Sequence, residues 1–127
     1  MEQHSIIYKA AVAIRDAIIA NPFHKTSAKE LTLELHIDRR ELLPAFKELT
    51  GTTIRRFHFE KLMKAAGEML LSGMTVKQVA IKCGYQHYLN NFTRGFRKYY
   101  KAAPEEWVQS ELKKLSNKHM SSKKVHS

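Results

Sequence analysis

One apolar pattern occurs twice in this chain. Leu31, Leu35 and Ile37 correspond to Val79, Cys83 and Tyr85 at an offset of 48. Leu42, Phe46 and Leu49 correspond to Phe92, Phe96 and Tyr99 at an offset of 50, and Ile54 and Phe57 to Pro104 and Trp107 at the same 50. Chance aligns a few leucines, but not two offsets and both closing aromatics. Residues 27–57 and 75–107 are therefore two copies of one unit. Apolar residues recur at three and four rather than at two, so nothing reads as a strand. Each copy reads as a helix, a tight turn, a second helix and a turn into the next one, which is a helix-turn-helix. Such a turn needs a residue that tolerates positive φ. Gly84 fills the place in the second copy and His36 in the first.

Local signals extend this to an all-α fold of about seven helices, two helix-turn-helix subdomains joined by a long linker helix. The first helix runs from about Ser5 to Ala20, with Ile6, Ile7, Ala10, Ala11, Ile14 and Ile18 as its apolar positions, and Asn21-Pro22 stops it. Ser27 caps the second, with Glu30 completing a capping box. Asp38 caps a third that ends at Gly51. A fourth spans about Thr53 to Leu71, Thr75 caps a fifth, a sixth covers about Leu89 to Tyr100, and Pro104 opens the seventh. The expected division is a first subdomain at 5–52, the linker helix at 53–72, a second subdomain at 73–116 and a disordered basic tail at 117–127.

Charge separates the two halves. Residues 1–50 hold seven basic and seven acidic side chains, whereas residues 51–100 hold nine basic and two acidic, net +7. The last 27 residues add a further +3. Segregated charge of this kind suits a polyanion-binding face; the plainer reading is a basic solubilising surface. The second helix of a helix-turn-helix can lie in the DNA major groove, so the outward faces of the third and sixth helices decide what the copies read. On a helical wheel Leu42, Phe46 and Leu49 face inward, with Arg40, Pro44 and Lys47 opposite. In the sixth helix Leu89, Phe92, Phe96 and Tyr99 face inward, with Asn90, Arg94 and Arg97 opposite, flanked by Asn91 and Lys98. Arginine bonds a guanine edge bidentately and asparagine an adenine edge. Pro44 stands where the second copy has Arg94, and Glu41 and Glu48 where it has Asn91 and Lys98. The second copy is the expected reader and the first a weaker support.

The stretches "VAIKCGY" and "FTRGFRKYYKAAPEEW", with "LTLELHIDRRELLPAFKELTGTTIRRF" in the first copy, resemble the DNA-binding domain of the AraC/XylS family of transcription regulators. The likeness covers about residues 5–110. It implies tandem helix-turn-helix units that bind successive major-groove segments of double-stranded DNA as a single chain, a monomer on DNA, and recruit RNA polymerase. Carried onto this sequence, Arg94, Asn90 and Asn91 read bases, Arg97, Lys98, Arg39, Arg40 and Lys47 mainly engage phosphates, and His87 and Tyr88 lie among the first contact positions. Three departures stand out. Tyr85 to Phe92 is seven positions, one more than the family usual, so the second recognition helix starts with an extra residue. Ile54 replaces a proline, and Leu43 and Pro44 occupy places where polar contact residues are common.

Competing chemistry finds little support. The histidines (4, 24, 36, 58, 87, 119 and 126) show no metal-ligand spacing with each other or with Cys83, so neither a metal nor a cofactor is expected. No catalytic constellation is present, and Cys83 reads as a small core residue. Trp107 and Phe57 read as core plugs closing each copy. A single cysteine suits a reducing cytoplasm, and no apolar run is long enough for a membrane span. Single-stranded nucleic acid is disfavoured because most aromatics lie inward. The alternative that remains is a protein-interaction module of the same fold that binds an acidic partner.

Overall fold

The computed structural model describes residues 2–24 and 28–125. Among them every regular element is a helix: α1 (Glu2–Ala20), α2 (Ala28–Leu35), α3 (Arg39–Thr50), α4 (Ile54–Leu71), α5 (Val76–Lys82), α6 (Leu89–Tyr100) and α7 (Pro104–Val125). The chain divides into two compact units, residues 1–62 and 63–127, and the boundary falls inside α4.

The first unit is built on one stripe of α1. Ile7, Ala10, Ala11, Ile14 and Ile18 are buried at helical spacing, and Ile37, Leu42 and Phe46 close the core with them. Ile6 lies off that stripe and is exposed. Ile54 and Phe57, from the start of α4, pack on the same core, with the Phe57 ring edge-on to Phe46 at 5.5 Å. α1 ends where Asn21 folds its side chain back to accept from the Phe23 N–H, at 3.1 Å. The Pro22 carbonyl lies 2.7 Å from His58 Nε2. A carbonyl only accepts, so Nε2 carries the proton.

In the second unit the same positions carry larger rings. Phe92 and Phe96 are fully buried, with Tyr85 against Phe92 at 5.6 Å and Trp107 against Phe96 at 5.5 Å. Tyr100 stacks between Phe96 and Trp107, 4.4 Å from each. Its hydroxyl donates to the Met63 carbonyl at 2.8 Å, one helical turn before Gly67. A Cβ at Gly67 would collide with that hydroxyl and touch Trp107, so this mid-helix glycine admits the Tyr100 side chain. Burial pushes the Tyr100 phenol up to about 12, which keeps it a hydrogen-bond donor.

The repeat extends to the backbone. Each first helix closes with the same bond from the residue after the turn: Ile37 N–H to Thr32 O at 3.0 Å, and Tyr85 N–H to Ala80 O at 2.8 Å. His36 and Gly84 both hold positive φ, 55° and 91°. Gly51 and Lys101, also 50 apart, cap α3 and α6 in the left-handed region, at φ 84° and 65°. Thr75 makes a full capping box with Gln78 on α5. Ser27 of the other expected capping box lies outside the described residues.

Three expectations need correction. Leu35 is 38% exposed although its counterpart Cys83 is buried, while Thr32 is buried like its counterpart Ala80. Leu89 and Tyr99 are exposed at 44% and 36%; the inward row of α6 is Phe92 and Phe96, continued by the partly buried Tyr100. Positions three and four after Phe96 both lie near its face of the helix, and the ring cluster with Phe96 and Trp107 takes Tyr100. Finally, α7 runs to Val125, so residues 117–125, expected as a disordered tail, are helical. After Pro104 the segment contains no glycine or proline, and an established helix propagates cheaply through such residues.

Candidate nucleic-acid interface

The outward side of α6 collects the strongest candidates. Asn90, Asn91, Arg94, Arg97 and Lys98 are all exposed on a helix whose inward Phe92 and Phe96 are fully buried. Among the described residues Arg94, Arg97 and Lys98 have no carboxylate partner. From the cap residue Tyr88 to Tyr100 there are three basic side chains and no acidic one.

The start of α6 is also open. Tyr88 stands at the N-cap, 63% exposed, and makes no side-chain capping bond. Helix N-termini present N–H groups and a positive dipole end that suit a phosphate oxygen. The two-residue change of offset between the copies falls in the turn before it. Tyr85 to Tyr88 forms that turn, closed by Tyr88 N–H to Tyr85 O at 3.1 Å, with Gln86 and His87 exposed on it. α3 and α6 are both 12 residues long. The extra residue expected at the start of the second recognition helix therefore lengthens the turn and not the helix. Beside this turn Lys77, Ile81, Gln86, His87 and Leu89 help line a shallow cavity of about 150 Å³. Leu89, inward on the helical wheel, is instead exposed, an apolar side chain beside the outward face of α6.

α3 presents a different surface. Arg39, Arg40 and Lys47 are exposed, as are Glu41, Pro44 and Glu48 between them. With Asp38 this makes three basic and three acidic side chains from Asp38 to Thr50. Arg40 is moreover engaged: its Nη2 lies 3.1 Å from Asp38 Oδ2, and its Nε within 3.4 Å of both carboxylate oxygens. Asp38 Oδ1 also accepts the Arg40 backbone N–H at 2.8 Å. That backbone bond, then the guanidinium, holds the Asp38 carboxyl below its usual range. Pro44 is the sixth residue of α3, past the first turn, and offers no N–H to the carbonyl of Arg40. The helix nonetheless continues, anchored by the fully buried Leu42 and Phe46.

Other chemistry is not supported by the geometry. Burial pushes the Cys83 thiol up to about 11, so it stays protonated and unreactive. Among the described residues no three His, Cys, Asp or Glu side chains gather as a metal-holding group, and no helix is long and apolar enough to cross a membrane.

Comparison with known proteins places this architecture. The family model for a helix-turn-helix domain matches residues 31–110. The chain is similar to the xylose operon regulatory protein of Escherichia coli (strain K12), 35% identical over 79 residues, which is 60% of this chain and 20% of that protein. It spans about a fifth of the length of the curated relatives it matches. Its fold is similar to that of a probable AraC family transcriptional regulator from Rhodopseudomonas palustris CGA009, with TM-score 0.65 and 26% identity over 80% of this chain and 96% of that one. The DNA-binding domain of AdpA, solved in complex with a target DNA, has the same fold at TM-score 0.65 and 18% identity, over 79% of this chain and 90% of that one.

Proposed function

The chain belongs to the helix-turn-helix family of AraC-type transcription regulators, and on that premise we propose that it binds double-stranded DNA sequence-specifically, with the second unit as its main reader. The observation that carries this reading is the contrast between the two outward faces. α6 offers three cations without carboxylate partners among the described residues and an uncapped start; α3 neutralises itself and puts a proline at its centre. Arg94, Asn90 and Asn91 read base edges, since a guanidinium and two amides can each bond an edge bidentately. Arg97 and Lys98, with Arg39, Arg40 and Lys47, engage phosphates and set the register. His87 and Tyr88 flank the entry point on the lengthened turn, and Leu89 can meet a thymine methyl there.

The same reading makes the protein a cytoplasmic regulator and not an enzyme. It acts as a monomer on DNA, with RNA polymerase as its protein partner. A second reading rests on the self-neutralised first unit: a module of this fold that captures an acidic protein and has little DNA specificity. Selection of bound sites from a random duplex library separates the two. The expected result is one strongly selected half-site. Two equally strong half-sites about a helical turn apart would mean that both copies read. No enrichment over competitor DNA would favour the protein-interaction module.

A further inference from the structure

We propose that Asp38 acts as a charge brake on the first unit, capping α3 and holding the Arg40 guanidinium so that Arg40 can engage a phosphate only by giving up this pair. The inference rests on the reading that the chain binds DNA through the outward faces of α3 and α6. One carboxylate does two jobs here: Oδ1 accepts the Arg40 backbone N–H at 2.8 Å, while Nε and Nη2 of the same residue reach back to both oxygens.

Capping alone does not call for a charge. Serine and asparagine cap as well as aspartate. In this chain neutral hydroxyls do the work elsewhere: Thr53 accepts from the Arg56 N–H at 3.1 Å, and Thr75 from the Gln78 N–H at 3.1 Å. The second unit goes without any side-chain cap at the equivalent position, Tyr88. The Asp38 carbonyl receives the N–H groups of Glu41 and Leu42 at 2.9 and 3.1 Å, and the Tyr88 carbonyl those of Asn91 and Phe92 at the same distances. These carbonyl bonds are alike in both copies, although the cap residues differ in backbone (φ −82°, ψ 129° at Asp38; φ −129°, ψ 53° at Tyr88), and only the first carries a carboxylate.

An exposed ion pair contributes little to folding, so its consequence lies in docking. A carboxylate at the mouth of a recognition helix repels the phosphates that a helix N-terminus otherwise attracts. The guanidinium it holds, already bonded through Nε and Nη2, must also be released before it can grip a phosphate with the same fork. The first unit thereby supports binding without adding strong sequence-independent affinity, which leaves discrimination to the second.

The test uses the full chain with Asp38→Ser and, separately, Asp38→Asn, both of which retain a cap. Thermal unfolding confirms that each folds. Binding to a selected duplex and to a random one is then titrated across a salt series. Either variant is expected to bind both duplexes roughly three- to tenfold more tightly at moderate salt, with the slope of log affinity against log salt steeper by about 0.9, the value of one additional phosphate contact. The loss caused by Arg40→Ala is expected to be larger in the Asp38→Ser background than in the parent. An unchanged slope in a folded variant would reduce Asp38 to a cap. Lost specificity would mean that it positions Arg40 for a base; either result overturns the proposal. If the parent chain itself shows no duplex binding, the DNA reading fails first, and the two failures are told apart.

Discussion

Phe96→Ala is expected to destabilise the second unit by about 3–5 kcal/mol, the range for emptying a fully buried phenylalanine site. Phe96 has no exposed surface and touches three further rings, those of Phe92, Tyr100 and Trp107. None of these can fill the space without giving up another contact: Tyr100 is tied to the Met63 carbonyl, and Trp107 sits against both Tyr100 and Phe96. Total stabilities of small domains are about 5–15 kcal/mol, so one substitution can remove much of the margin. Arg94 and Arg97 flank Phe96 in sequence and lie on the other side of its helix. DNA binding is therefore lost along with the fold, although Phe96 itself reaches no DNA. Urea unfolding followed by circular dichroism reads the stability change. A loss below about 1 kcal/mol would mean that the ring cluster is not the core of this unit.

Binding to duplex DNA is expected to weaken steeply with salt. Five cations on the two outward faces have no carboxylate partner among the described residues: Arg39, Lys47, Arg94, Arg97 and Lys98. If each meets a phosphate or a base beside one, the slope of log affinity against log salt is about −4 to −5, and a fourfold rise in salt costs roughly 10²- to 10³-fold in affinity. Fluorescence anisotropy titrations at several salt concentrations measure the slope. A flat dependence would contradict the DNA reading and favour capture of an acidic protein.

The features legible in the sequence were those whose chemistry is local. Asp38, Gly51, Thr75 and Pro104 mark helix ends because a cap, a left-handed residue or a missing N–H acts within a few residues of itself. The repeat was legible because two copies bury the same positions, Leu42 with Phe92 and Phe46 with Phe96. Choices that tertiary packing makes were harder to read. A helical wheel allows either Tyr99 or Tyr100 to follow Phe96, and the Met63 carbonyl and the gap over Gly67 select Tyr100. Likewise the repeat aligned Leu35 with Cys83, yet Leu35 is exposed where Cys83 is buried, and Thr32 beside it in α2 is buried.

At the candidate site the wheel separated the outward residues of α6 from its core but missed the Asp38–Arg40 pair. Residues two apart do not face each other on a regular helix. Asp38, however, is a cap with extended backbone, at φ −82° and ψ 129°, and its side chain folds back over the first turn. The signal available was an N-cap aspartate with an arginine two residues on. The turn length was only half readable: the sequence showed the added residues, and the backbone bond from Tyr88 to Tyr85 assigns them to the turn.

The measurement that bears most directly on the central claim compares Arg94→Ala with Arg40→Ala on a selected duplex and on a random one. Arg94→Ala is expected to cost about 1–3 kcal/mol on the selected site and to relax preference at one base position. Arg40→Ala is expected to cost less, and equally on both duplexes. If Arg40→Ala weakened binding as much as Arg94→Ala, with a similar loss of preference, the two copies would read alike, and the reading of the second unit as the main reader would be wrong.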